Sequence, residues 1–229
     1  MIEASHENGA ALLRLMQLVS PALPVGAYAY SQGMEYAVHA AWLGDEASVE
    51  QWITGLLQNP LSHIDIPVLA RLYTAWQAND LDAVGHWSAF LSAGRESREL
   101  QDEDRQLGMA LARLLNDLGV DGSAAWINHS RASFATLFSL AAFRWQVPLV
   151  PAAQGYLWAW TENQVAAAIK LIPLGQTAGQ RILSHAGAVI PAAVNRGLAL
   201  NDEDIGFVAQ RLAMGSALHE DQYSRLFRS

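Results

Sequence analysis

The segment IKLIPLGQTAGQRIL, residues 169–183, holds the only lysine of the chain, Lys170, followed by Gly175, Thr177 and Gly179. A lysine beside a glycine-bearing turn that opens a helix is the chemistry of a phosphate site. Main-chain N–H groups cradle the anion and the ammonium neutralises it. The residue order speaks against that site. A Walker loop places its lysine directly after the second glycine, between a strand and a helix. Here Lys170 precedes both glycines and follows alanine-rich, helix-like sequence. Pro173 and Gly175 read instead as a helix stop, and Thr177 with Gln180 as a capping box for the next helix. Neither feature accounts for Lys170 or Gln176.

Metal chemistry has few carriers. Glu35 and His39 are spaced one helical turn apart and could share a ligand face, and His219, Glu220 and Asp221 form a second candidate cluster. A di-metal bundle site needs two Glu-x-x-His units and two further glutamates, which the chain lacks. In QDEDR, residues 101–105, the consecutive acids Asp102, Glu103 and Asp104 splay around a helix instead of converging on a metal-diphosphate. The run reads as a solvated face, and NDEDIG, residues 201–206, as a helix start with acids at its positive end. There is no G-x-S-x-G and no sheet to hold one. With no cysteine, thiol catalysis and disulfides are excluded.

The elements that would position such residues are helices. The 229 residues are 52% hydrophobic but only 16% charged, which a large core, or a surface partly covered by partners, would explain. A net charge of −8 with no basic stripe argues against nucleic acid. The acidic start MIEASHENGA does not resemble a secretion signal, and no apolar run reaches membrane-spanning length. The expectation is a cytoplasmic protein.

Apolar residues recur at helical spacing almost throughout, and no run alternates as a strand would. Leu12, Leu15, Met16 and Val19 mark a first helix, stopped by SPALPVG, and Tyr30 to Ala41 a second. Ser48 and Gln51 suggest a capping box for a third, Asp65 and Pro67 a fourth, and NDLD a fifth. A sixth spans about 97–119, with Arg95 and Glu99 as a surface ion pair one turn apart. A seventh carries Phe134 to Ala141, an eighth runs from Pro151 to Ile172, and a ninth follows Thr177 with a kink near Pro191. Asp202 opens the last. The fold class is all-α: a single domain, residues 1–229, of about ten helices, with 219–229 as a C-terminal docking tail.

That tail, HEDQYSRLFRS, is unlike an ordinary polar terminus. Tyr223, Leu226 and Phe227 stand beside Arg225 and Arg228, the residue types that anchor interfaces; the alternative is a tail packed on its own domain. Four blocks, QLVSPALPVGAYAYSQGMEYA, AGRESRELQDEDRQLGMAL, YLWAWTENQVAAAIKLIPLGQTAGQRIL and HEDQYSRLFRS, together resemble the signature blocks of the UreF family of urease accessory proteins. They lie in the family's order from about Gln17 to Ser229. Ala27, Met34 and Ala178 depart from the residues usual there.

The resemblance implies an all-helical homodimer that is a scaffold and regulator, not an enzyme. It would join UreD (also called UreH) and the GTPase UreG in delivering nickel to apo-urease. It implies no cofactor of its own, GTP being bound by UreG and nickel being cargo. Carried over, Tyr223, Ser224, Arg225, Leu226, Phe227 and Arg228 would meet UreD. Pro24, Gly26, Tyr30, Ser31, Gly33 and Glu35 would be structural and dimer- or partner-facing. Lys170 and Gln176 would lie near the GTPase-facing or dimer surface. Two alternatives stand beside this: a direct nickel-binding metallochaperone using His39 or His219, and a helical enzyme with a dispersed acidic site.

Overall fold

A computed structural model describes the backbone of residues 2–229 and the side chains from residue 9 onward. The first eight side chains of MIEASHENGA lie outside the described residues. Ten α-helices and no strand occur among the described residues. They are α1 (Ile2–Leu18), α2 (Met34–His39), α3 (Glu46–Leu56), α4 (Ile66–Ala78), α5 (Leu81–Ala93), α6 (Arg98–Asp117), α7 (Phe134–Arg144), α8 (Leu149–Leu171), α9 (Gln176–Leu198) and α10 (Gln210–His219).

Helices α4 and α7 pack together at the centre. Helices α5 and α6 cover one side of them, and α8 and α9 the other. Fully buried Phe138, Leu57, Ile66, Leu69, Leu72 and Leu111 lie in one continuous apolar core. The helical spacing read from the sequence therefore gives the right architecture, because each apolar stripe has a neighbouring stripe to cover it.

Several boundaries differ from the sequence expectation. Helix α3 starts one capping register early: Asp45 is the N-cap, its carboxylate accepting from Ser48 N at 2.9 Å. Its successor is not a separate helix opened by Asp65 and Pro67. A π-helical segment, Leu57–Asp65, joins α3 to α4 without a break. Pro60 inside it has no N–H to give, and the wider turn accommodates its ring. Asn59 Nδ2 donates to Gly55 O at 2.8 Å and Ser62 Oγ to Gln58 O at 2.7 Å, satisfying carbonyls in this stretch.

Helix α9 begins at Gln176 with Gly175 as N-cap, so Thr177 and Gln180 form no capping box and lie exposed. Pro191 faces solvent inside α9, which is helical on both sides of it. Asp202 opens only a single 3-10 turn, Asp202–Asp204. Arg71 draws that turn away by bonding Asp202 at 2.9 Å and Leu200 O at 2.6 Å, and the last helix waits until Gln210.

Helix α6 approaches the start of α7 closely at Gly108. A Cβ there would stand 2.6 Å from the Ser133 carbonyl carbon. We predict that Gly108→Ala destabilises the protein by about 2 kcal/mol or more, since backbone cannot move aside as a side chain can. Gly85→Ala in α5, where a Cβ meets nothing within 4 Å, is expected to be neutral or stabilising by up to ~1 kcal/mol. Urea denaturation of the two variants checks the contrast, and equal midpoints would refute it.

Candidate functional site

The first and last sequence blocks meet. From Gly206 onward the chain forms an arm, which packs α10 against α2 and α6 and then lays residues 220–229 along the start of α2. Close approach at Gly33 permits this. Its φ is +75°, and a Cβ would stand 2.8 Å from Ser216 N on the arm. Ser97 Oγ and Ser216 Oγ lie 2.5 Å apart beside this contact.

Glu35 is the centre of the cradle. It is 7% exposed, and its two carboxylate oxygens accept from Leu226 N at 2.7 Å and Phe227 N at 2.8 Å. Hydrogen bonds from neutral N–H groups to a carboxylate each contribute roughly 1.5–3 kcal/mol. Ser31 receives the next turn of the arm: its N and Oγ donate to Ser229 O at 2.7 and 2.6 Å. Arg228 N donates to Ala29 O at 2.8 Å.

The fully buried His219 lies between two carboxylates. Nε2 is 3.2 Å from Glu35 Oε2 and Nδ1 is 2.7 Å from Glu99 Oε2. Each ring nitrogen thus has its own carboxylate partner. Arg225 Nη1 donates to the other oxygen of Glu99, Oε1, at 2.8 Å. The carboxylates sit on opposite edges of the imidazole, so they do not converge on one point. Among the described residues, no group of three or more His, Asp or Glu side chains could hold a metal ion. His39 is exposed and Glu35 is buried under the arm, so the two share no ligand face.

Below the arm lies a cavity of about 120 Å³. Its polar wall starts with Arg95, which donates to Asp65 through Nη2 at 2.7 Å and Nη1 at 3.2 Å, and to Asp104 through Nε at 3.1 Å. Tyr156 OH donates to Asp65 at 3.0 Å and Phe134 N to Asp104 at 2.8 Å. Burial works against the Arg95 charge, but Asp65 and Asp104 more than offset it and hold its pKa well above the usual value. Burial, with Asp65 alongside, pushes the Tyr156 phenol well up.

Glu103 separates cavity from arm. It accepts from Gln32 Nε2 and from Ser229 Oγ, both at 2.7 Å, and Gln32 Oε1 accepts from Trp160 Nε1 at 2.7 Å. Gln32 takes a left-handed φ of 54°, rare for a residue with a side chain, which aims its amide between Trp160 and Glu103. Burial raises the Glu103 carboxyl from 4.5 to about 7.

Most of the sequence-expected residues gather here. Tyr30 is buried, its carbonyl accepting from Asn163 Nδ2 at 3.2 Å, and Ser31, Gly33 and Glu35 hold the arm. Phe227 is buried, whereas Tyr223, Ser224, Arg225, Leu226 and Arg228 face outward. Lys170, in the last turn of α8, places Nζ 5.5 Å from the centroid of the Phe227 ring, a cation–π contact. Pro24 is exposed, and Gly26 opens a 3-10 turn upstream. Gln176 is exposed at the start of α9 and makes no contact with the arm among the hydrogen bonds present.

Two sequence expectations are overturned. Arg95 and Glu99 are not a surface ion pair: Arg95 bonds Asp65 and Asp104, while Glu99 bonds His219 and Arg225. Nor is QDEDR a solvated face, because Glu103 and Asp104 are 3% and 8% exposed. The signal was present. Leu100, Glu103, Asp104, Leu107 and Leu111 share the i, i+3, i+4, i+7 stripe that marks the buried side of a helix.

The family model for UreF matches residues 43–187, more than half of the chain. The chain belongs to the UreF family of urease accessory proteins. A urease accessory protein UreF from Alkalilimnicola ehrlichii is 54% identical over 221 residues, covering 96% of this chain and 97% of its own. Relatives of the same name from Teredinibacter turnerae and Hahella chejuensis are 51% and 47% identical, each across 98% of its own length. The matched model leaves out both halves of the cradle, residues 26–35 and 219–229, but the alignments to these UreF proteins span about 95% of the chain.

Glu35→Gln keeps the shape of the cradle but replaces one carboxylate oxygen by an NH₂ that opposes the arm's N–H. We expect tryptic cleavage after Arg225 and Arg228 to accelerate at least tenfold, as roughly 1.5–3 kcal/mol of docking is lost. Timed proteolysis read by mass spectrometry checks this. Unchanged rates would show that Glu35 does not hold the arm.

Proposed function

We propose that this UreF-family protein is a scaffold and regulator in urease maturation. It joins a UreD/UreH-type protein and the GTPase UreG to apo-urease, so that nickel enters the urease active site. In this reading it acts as an adaptor without catalytic chemistry or a cofactor of its own. Nickel is cargo, GTP belongs to UreG, and the assembly works in the cytoplasm. The chain is taken as one domain whose last residues, 219–229, are its docking element.

The observation that carries this reading is the outward face of the docked arm. Tyr223 is 105% exposed and Leu226 66%, with the exposed Arg225 and Arg228 beside them in the chain. Exposed aromatic, aliphatic and arginine side chains on a fixed backbone are what an interface hot spot is made of. Lys170 borders the same surface through its contact with Phe227. A GTPase seated at the end of α8 would then sense whether the arm is docked.

A homodimer is supported by a different surface. Leu12, Leu13 and Met16 on α1 are 58%, 67% and 58% exposed, an apolar strip that a second copy could cover. The absence of any helix long and apolar enough to cross a membrane, among the described residues, is compatible with the cytoplasmic assignment.

Deleting 219–229 would remove buried residues along with exposed ones, so surface substitutions give the cleaner test. The double variant Tyr223→Ala, Leu226→Ala is expected to fold normally and to bind the UreD-type partner at least tenfold more weakly in a pull-down titration. Undiminished binding would reject the arm as the docking element. Lys170→Ala is expected to fold normally yet lower urease activation in cells supplied with the other accessory proteins. Full activation would reduce Lys170 to an exposed helix end.

A further inference from the structure

The arm is held by groups that titrate, and one of them has no cation to balance it. Arg95 is the guanidinium that acts on Glu103, and Asp65 and Asp104 occupy it. Glu103 itself forms no salt bridge among the described residues, and the groups that donate to it, the Gln32 amide and the Ser229 hydroxyl, are neutral. It is 3% exposed, with the cavity on one side and Ser229 on the other. A buried carboxylate held only by neutral donors is stabilised by taking up a proton.

The charged groups around it come from several elements. On α6 itself lies Asp104, which disfavours the charged form of Glu103, and Arg95 from the preceding turn favours it. The turn before α2 presents the neutral Gln32 to Glu103, and α2 itself directs Glu35 at the arm backbone. Helix α8 contributes Trp160, through Gln32, and Lys170 over Phe227. The arm brings His219 and Arg225, both held by Glu99, and the main-chain oxygen end of Ser229, which accepts from Ser31 N and Oγ.

We propose that residues 219–229 form a proton-coupled latch, in which Glu103 takes up a proton from solvent as Ser229 seats against it. The arm then docks more firmly in mildly acidic than in mildly alkaline solution. When the arm lifts, Ser229 no longer covers Glu103, water reaches the carboxylate, and the proton leaves. The coupling is reciprocal: whatever holds the arm down keeps the proton on Glu103, and whatever deprotonates Glu103 loosens the arm.

The sign follows from the direction of the shift. With the arm docked, Glu103 titrates at about 7 instead of 4.5, because burial disfavours its charge. The extra stability of the docked state is therefore complete below the ordinary carboxylate range and is lost as pH rises through about 7. Between pH values of about 6 and 8 the docking equilibrium should fall roughly tenfold.

Hydrogen exchange on the whole chain tests this without any partner, so its outcome is separate from that of the docking reading above. After correction for intrinsic exchange, the Leu226, Phe227 and Arg228 amides should lose protection roughly tenfold between about pH 6 and pH 8, while α7 amides hold steady. Glu103→Gln, neutral at every pH, should keep the arm protected and remove the step. Equal protection of the wild-type arm at both pH values, or a step that survives in Glu103→Gln, overturns the proposal. A second measurement needs no variant at position 103. Carboxyl ¹³C chemical shifts of the wild-type protein should show Glu103 titrating near neutrality, and Glu35→Gln, with its arm released, should return it toward the ordinary carboxylate range. A wild-type Glu103 that already titrates in that range also overturns it.

Discussion

Much of this molecule turns on where one guanidinium points. Arg95 joins Asp65 at the end of the π-helical segment to Asp104 on α6, and through them reaches Tyr156 on α8 and the first amide of α7. Breaking a buried ion pair by removing one partner typically costs about 3–5 kcal/mol, because the other charge is left unpaired. The constraint is directional as well as energetic. It fixes the rotation of α6 about its axis with Asp104 inward, and the helical period then puts Glu103 beside it and Glu99 one turn earlier, both under the arm. The π-helical segment has a part in this, since Asp65 ends it 2% exposed and directed at Arg95.

The same commitment of Arg95 explains the chemistry of the arm contact. Two aspartates use up that cation, so Glu103 has only neutral donors, and its affinity for a proton rises. Glu35 is as buried but differently supplied, because two arm amides and His219 all approach its carboxylate. One carboxylate thus grips the arm by accepting from its main chain. The other responds to the arm by how far it is cut off from water. That difference separates holding the arm from sensing it.

The sequence made the architecture legible because helical periodicity is a local property, and ten amphipathic segments have few ways to cover one another. The tail was legible as unusual because its aromatic and arginine residues are out of place in an ordinary terminus. What it anchors to was not legible. Glu35 and His219 were visible as candidate metal ligands and as members of partner-facing blocks, but nothing local reveals that residues 184 positions apart face each other. Glu103 and Asp104 were concealed by their neighbours: in QDEDR the half-exposed Asp102, with Arg98 and Arg105 beside it, makes the run look solvated. The joining of α3 and α4 was missed for a related reason. Proline is read as a stop, and a wide helical turn that accommodates it leaves no separate mark in sequence.

The cradle grips the arm mainly by its backbone. The N–H groups of Leu226, Phe227 and Arg228 and the carbonyl of Ser229 all bond to the body, and of the side chains from 223 to 228 only Phe227 is buried. Main-chain recognition places few demands on side-chain identity, as when a strand adds to a sheet edge. Tyr223, Leu226 and Arg228 are therefore free to serve a different surface while the arm stays docked. A partner that reads those side chains in place stabilises the docked state by mass action. A partner that instead draws Phe227 out must overcome the Glu35 contacts and the Lys170 contact first. The two kinds of engagement shift the same equilibrium in opposite directions.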